Sequence, residues 1–254
     1  MIGIAAGLST CGKIPFAASF AMFSAGRAFE QVRNSVGYPH LNVKIVGSHA
    51  GISVGEDGAT HQCCEDIALM RTIPGMVVLN PADHYEMQAA VKAAAEYYGP
   101  VYIRLGRLAV ESCNNNDDYK FEIGKGIALR DGKDITVIAS GLMVGEAVKA
   151  VKALEADGID VRLIDMHTIK PLDRELVLKA AQETGRIVTV EEHNVIGGLG
   201  EAVASYLSEA CPTPVIKIGV NDVFGHSGPA VDLLKEFGLS AENIEATVKK
   251  ALGK

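Results

Sequence analysis

The chain has 254 residues, 48% of them hydrophobic and 22% charged, enough for one large or two ordinary domains and too core-rich for disorder. A formal net charge of -7 argues against nucleic acid or an anionic membrane as the main partner. The five cysteines (Cys11, Cys63, Cys64, Cys113 and Cys211) show neither a paired framework nor a metal-binding C-x-x-C, which fits a reducing compartment. The start, residues 1–8, is apolar but lacks the basic leader of a secretory signal. No apolar run reaches membrane-spanning length, so a soluble, cytoplasmic protein is expected.

Along the chain, residues 19–36 read as a helix with two distinct faces. Met22, Ala25, Phe29, Val32 and Val36 share one side at core spacing, and Phe20, Phe23, Arg27 and Gln31 share the other. The second face is either buried against another layer or turned toward a ligand. Residues 41–48 form a short apolar run ending in small residues, as in a buried parallel strand. Directly after it, residues 49–62 place His49, Glu56, Asp57 and His61 among Gly51, Gly55 and Gly58. An ionisable loop at the carboxyl end of such a strand is where α/β proteins put their chemistry, and the glycines permit tight turns.

Residues 76–79 predict a strand, after which Asp83 and Glu86 have the spacing of a capping box. The helix that follows is expected to run to about residue 98, where Gly99-Pro100 stops it. Residues 101–105 predict the next strand, and residues 114–118 are a polar, strand-poor stretch that reads as a linker. Beyond it, strands are predicted at 135–139, 161–165, 187–190 and 215–218. Helices are predicted at 144–157, 174–184, 200–209, 231–237 and 241–251. The alternation implies two doubly wound parallel-sheet α/β domains, at 1–113 and 121–254, joined by a linker at 114–120.

Gly197-Gly198-Leu199-Gly200 opens a helix, but the dinucleotide fingerprint is incomplete, so close helix packing is the expected reason for the glycines. Residues 191–194, Glu-Glu-His-Asn, end a strand and read equally as functional chemistry or as loop bracing. Arg107, just past a strand end, offers a permanently charged fork to a phosphate or carboxylate, or a surface ion pair. His49 and His61 can serve as metal ligands, general acids or hydrogen-bond donors. With no third clustered His or Cys, metal binding ranks low.

Residues 49–62, followed by Glu65-Asp66, Arg-Thr-Ile-Pro at 71–74 and Pro-Ala-Asp at 81–83, closely resemble the pyrimidine-binding domain of transketolase. Residues 190–200 and 224–228 resemble the transketolase carboxyl-terminal domain. The similarity spans essentially the whole chain and is greatest to the carboxyl-terminal subunit of split transketolases. It implies a transferase of pentose phosphate carbohydrate metabolism that moves a two-carbon ketol unit between sugar phosphates. It also implies thiamine diphosphate shared with an amino-terminal diphosphate-binding subunit, which alone would hold the Mg or Ca ion, because the Gly-Asp-Gly…Asn metal motif does not occur here. By match to the family motif, Phe20 and Phe23 pack on the aminopyrimidine, and His49 and His61 bond the substrate oxygens on which charge develops. Asp57 recognises an acceptor hydroxyl and Arg107 the distal phosphate.

The family's activating glutamate falls upstream of the position matching Met1, so the chain is expected to lack that group and to be inactive alone. It is also expected to leave Ile2, Ile4 and Leu8 uncovered and to self-associate, as a dimer in the family pattern. Two other readings are a non-catalytic assembly or regulatory module of the same fold and the beta subunit of a 2-oxo-acid dehydrogenase. His49 and the His61-Gln62 pair favour transketolase over the latter.

Overall fold

The apolar runs that alternate with amphipathic stretches become the strands of two sheets in the computed structural model of the chain, which describes residues 1–114 and 119–254. Helix α1 (Ile2–Thr10) leads into strand β1 (Phe16–Phe20). The next helix, α2, has mixed pitch: π-helical at Met22–Arg27, α-helical at Phe29–Gln31 and π-helical again at Val32–Gly37. Then follow β2 (Lys44–Ser48), a 3-10 turn at Ile52–Asp57, α3 (Asp66–Thr72), β3 (Val77–Leu79), α4 (His84–Glu96) and β4 (Val101–Arg104). The second half contributes β5 (Ile127–Arg130), β6 (Ile135–Ala139), α5 (Met143–Ala156), β7 (Val161–Asp165), β8 (Thr168–Lys170) and α6 (Arg174–Thr184). It ends with β9 (Ile187–Asn194), α7 (Leu199–Ala210), β10 (Val215–Val220), α8 (Ala230–Glu236) and α9 (Ala241–Ala251).

The sheets run β1-β2-β4-β3-β8 and β10-β9-β6-β7-β5, parallel except for the antiparallel edge strands β8 and β5. Strands β6 and β7 are buried at every position, as expected of a sheet covered by helices on both faces. Helix α5 shows why its sequence is helical: Met143, Val144, Ala147, Ala150, Val151 and Leu154 recur at three- and four-residue steps and are all buried. A 14-residue helix is marginal alone in water, so this buried stripe, at roughly 1.5–3 kcal/mol per large side chain, decides its stability.

Two helix ends illustrate local control. The Asp83 side chain accepts from the Glu86 amide, while Glu86 Oε2 accepts from the Ala82 amide at 2.5 Å rather than from Asp83, a capping box shifted by one residue. Helix α6 starts on Asp173 and ends on Gly185 in the left-handed region.

Several sequence expectations change. Ser19 and Phe20 belong to strand β1, because register pairing with β2, from Phe16–Lys44 to Phe20–Ser48, overrides the local helical pattern. The helix that follows is not buried on both sides: Arg27 and Gln31 are exposed and Phe23 is half-buried. Helix α4 stops at Glu96, since Tyr97 is already extended ahead of Gly99. Ile2 is buried in the core rather than uncovered, whereas Ile4 and Leu8 are 71% and 47% exposed. Of the expected linker, residues 115–118 lie outside the described residues, and Asn114 is buried.

Strand β8 was not anticipated. It leaves the second half of the chain to close the first sheet, pairing Lys170 with Val78 and Thr168 with Leu79. Further bonds join the two units: Asn80 N to His167 O at 2.8 Å, Asn194 N to Cys64 O at 2.7 Å, and Lys170 Nζ to the carbonyls of Arg71 and Ile73 at 2.7 and 2.6 Å. One apolar cluster runs through both, from Ile45 and Ile67 to Met166, Ile169 and Leu199. Among the described residues, no helix is long and apolar enough to cross a membrane.

Candidate active site

The carboxyl ends of the adjacent strands β1, β2 and β4 and the start of α2 carry the predicted residues. Immediately after β2, His49 adopts a left-handed backbone, φ 56°, a conformation that costs a non-glycine residue energy and persists only where its surroundings impose it. The Ala50 amide donates to Leu105 O at 3.0 Å and the Gly51 amide to Cys63 O at 2.9 Å. The start of the loop is thereby stitched to the end of β4 on one side and to its own return on the other.

Four rings meet there. The His49 imidazole stacks on Phe20, with centroids 4.0 Å and planes 9° apart. The Phe20 and Phe23 rings lie nearly parallel, 6.1 Å and 11°. The His61 ring stands edge-on to Phe23 at 5.2 Å and to Phe20 at 6.2 Å. Arg27 covers one face of Phe23, its guanidinium carbon 4.7 Å from the centroid. His49 Nδ1 is 3.1 Å from Ser48 Oγ and His61 Nδ1 is 2.9 Å from Thr60 Oγ1, so neighbouring hydroxyls engage the inner nitrogens. Among the described residues, neither Nε2 has a protein hydrogen-bond partner.

Charge around His49 is opposed. Partial burial and the Arg107 guanidinium pull its pKa below the ordinary histidine value, and Asp57 pushes it back up. Asp57, the last residue of the 3-10 turn, and Arg107 are both exposed. The tertiary structure therefore brings Phe20, Phe23, His49, His61, Asp57 and Arg107 to one place from three segments of chain.

The loop that carries them is held from beneath. Gln62, buried, donates to the carbonyls of Ile52 (3.3 Å), Gly55 (3.4 Å) and His226 (3.0 Å), the last on the loop after β10. Glu192 Oε1 accepts from the Ser53 amide at 2.6 Å. Deeper still, the Arg104 guanidinium is fully buried: Nε donates to Asp66 at 2.9 Å and Nη2 to Glu192 O at 2.7 Å, while Tyr102 Oη donates to Asp66 at 2.7 Å. Sequence alone assigns Gln62 no role and leaves Glu192, within 191–194, open between functional chemistry and loop bracing; here it braces the loop. Their signal was a polar residue inside a run that folds as core.

Glycines 197–200 open helix α7 without leaving room for an anion. The Glu191 carboxylate already accepts from the Leu199 and Gly200 amides, at 2.6 and 2.8 Å, and a side chain at Gly198 would overlap it. The glycines are there for close approach. The run at 191–194 braces the two units, with Glu191 capping α7 and His193 Nε2 accepting from the Ala68 amide at 3.3 Å. Among the described residues, no three His, Cys, Asp or Glu side chains converge as a metal ion requires.

Two parallel-dominant α/β units sharing a strand, with a cluster of aromatic and imidazole rings at the strand ends, define a class. Residues 1–112 match the family model of the transketolase pyrimidine-binding domain and residues 124–244 that of the transketolase C-terminal domain. The chain belongs to the transketolase family. It is 51% identical, over its full length and 80% of the relative's, to a transketolase C-terminal section of Methanocaldococcus jannaschii. It is 47% identical, over 96% of the chain and 76% of the relative, to the 6-deoxy-6-sulfo-D-fructose transketolase subunit SqwH of a Clostridium species. Among solved structures, a split gene transketolase in the form of an inactive beta4 tetramer superposes with a TM-score of 0.93 at 56% identity, over 99% of this chain and 80% of that one.

Proposed function

We propose that this chain is the pyrimidine-side subunit of a split transketolase, transferring a two-carbon ketol unit between sugar phosphates together with an amino-terminal, diphosphate-binding subunit. The observation that carries the reading is the convergence of Phe20, Phe23, His49 and His61 at the carboxyl end of β2.

The residues present fit one side of a thiamine diphosphate site. Phe20 and Phe23 are half-buried and their rings lie nearly parallel, apolar surface of the kind a heteroaromatic ring packs on. Thiamine diphosphate, when bound, supplies the carbanion sink for ketol transfer. The diphosphate and its Mg or Ca ion belong to the partner subunit in this reading.

This chain's residues orient the substrate and stabilise charge on it. The outward Nε2 atoms of His49 and His61 donate to substrate oxygens as charge develops, and the depressed pKa of His49 keeps its ring neutral, a donor without a full charge, near pH 7. Asp57 accepts from a hydroxyl of the acceptor sugar, and Arg107, exposed and forked, takes the distal phosphate. The exposed Ile4, Leu8 and Phe16 around edge strand β1 favour self-association.

The test is reconstitution. The chain, its cognate diphosphate-binding subunit, and both together are assayed for ketol transfer with cofactor and Mg. Turnover is expected only from the mixture. Robust turnover by the isolated chain, or none by the mixture, would sink the reading.

A further inference from the structure

Glu192 sits at the carboxyl end of β9, in the second unit, yet its carboxylate lies under the loop of the first unit that carries the site. The side chain is buried. Oε1 takes the Ser53 amide at 2.6 Å, and the Glu192 backbone carbonyl takes Arg104 Nη2 at 2.7 Å. Gly51, in the left-handed region at φ 88°, lies so close that a side chain there would overlap the Glu192 carboxylate carbon. A side chain at Gly106 would meet Glu192 Oε2 only at 3.9 Å, an ordinary contact. Gly51 is two residues from His49 and Gly106 is next to Arg107. The carboxylate is therefore pressed against the segment that delivers the imidazole, and it borders, without crowding, the one that delivers the guanidinium.

The arrangement is more than packing needs. An apolar side chain of similar size would fill the space without a partner, whereas a buried carboxylate costs several kcal/mol unless its bonds compensate. Here Oε1 has a donor, and Oε2 is enclosed with no hydrogen-bond partner among the described residues. The backbone amide of Ser53 is the group that gains, since it lies in a buried turn with no helical partner.

We propose that Glu192 is a positioning residue for the reaction of the preceding section: through the Ser53 amide and the backbone at Gly51 it sets the loop that places His49 and Asp57 relative to Arg107. The second unit thus has a role in the chemistry although none of its side chains is among the candidate catalytic groups. The inference rests on the proposed transketolase reading for its kinetic arm only.

The test compares Glu192→Gln, which keeps a carbonyl acceptor for Ser53, with Glu192→Ala, which removes it. In the chain alone, amide hydrogen exchange at 51–58 should accelerate in Glu192→Ala, with β2 and β4 unchanged and Glu192→Gln close to wild type. The ring titration of His49 should move upward toward its ordinary value in Glu192→Ala only, as the loop loosens and the ring gains water and distance from Arg107. In the assembled complex, kcat should fall by about 10- to 100-fold in Glu192→Ala on phosphorylated and unphosphorylated substrates alike, with rescue in Glu192→Gln. Unchanged exchange at 51–58 in Glu192→Ala, or acceleration spread equally through β2 and β4, would overturn the proposal. If Glu192→Ala does not fold, wild-type exchange decides: a Ser53 amide exchanging as fast as those of exposed Glu56 and Asp57 overturns it. A wild-type complex without ketol transfer defeats the functional reading, and the exchange and titration arms still decide the role of Glu192.

Discussion

The imidazole of His49 lies flat on the ring of Phe20, with centroids 4.0 Å and planes 9° apart. The stack removes water from one face of the imidazole, which disfavours its charged form, and holds the ring in one orientation. Arg107 and Asp57 then act on it with opposite sign.

Those two charges make the titration of His49 testable. Arg107→Ala removes a cation that opposes protonation, so the His49 pKa should rise. Asp57→Asn removes the anion that favours it, so the pKa should fall. Ring chemical shifts followed against pH read both. Shifts of the same sign in the two variants would show that the loop rearranges instead.

Kinetics of the assembled complex should separate His49 from Arg107. His49→Ala should mainly lower kcat, because in the proposed reaction its hydrogen bond strengthens as charge develops on the substrate. Arg107→Ala should chiefly raise KM for phosphorylated sugars, by on the order of 2 to 3 kcal/mol for a lost charged hydrogen bond, and scarcely affect an unphosphorylated donor. Equal losses on both substrates would make Arg107 structural.

Beneath the site, the Arg104–Asp66 pair is a stability element. Both side chains are buried, at 2% and 0% exposure, and Tyr102 adds a third bond. Removing one partner strands the other's charge, so Asp66→Ala or Arg104→Ala should cost about 3–5 kcal/mol. Urea midpoints at constant slope measure it. A loss below about 1 kcal/mol, the range of exposed pairs, would mean that the pair is solvated.

The junction of the two units should make stability fall as pH rises. Glu86, from α4, and Asp165, from β7, are fully buried neighbours, with Asp83, Asn114 and Tyr119 beside them. Burial pushes both carboxyls up, Glu86 from 4.5 to about 7, and the surrounding carboxylates add to it. A carboxyl whose pKa is raised by folding stabilises fully below its unfolded value and loses that contribution as pH climbs through its folded value. For Glu86 the window therefore runs from pH 4.5 to about 7, and Asp165, pushed up likewise, makes stability fall in the same direction. Wild type should lose more stability between pH 5 and 8 than Glu86→Gln, whose side chain cannot ionise. Parallel curves for the two would contradict the assignment.

Legibility followed the range of the interaction. Strands at 135–139 and 161–165 and helices at 174–184 and 241–251 fall where periodicity placed them, because buried stripes and caps such as Asp173 and Ser240 are local properties. The 49–62 motif pointed to the site for the same reason: glycines, histidines and carboxylates sit within one loop. Ser19 and Phe20 read as helix and Phe16–Ala18 carry no signal, because the five residues FAASF have no periodicity that separates strand from helix, and only β2 beside them decides. Strand β8, three residues long, exists solely as the edge partner of β3.

By itself, then, the sequence determined the alternation of strand and helix, the class of fold, and the segment in which the candidate chemistry is concentrated, all of which depend on neighbours along the chain. Tertiary structure alone decided that Phe20 stacks on His49, that Arg107 reaches its field, and that Glu192 and Gln62 support the loop. Ser53 and Glu192 are separated by 139 positions, and the bond between them exists only because β9 ends beneath the turn after β2. A hydrogen bond acts over about 3 Å, so no spacing in sequence encodes it.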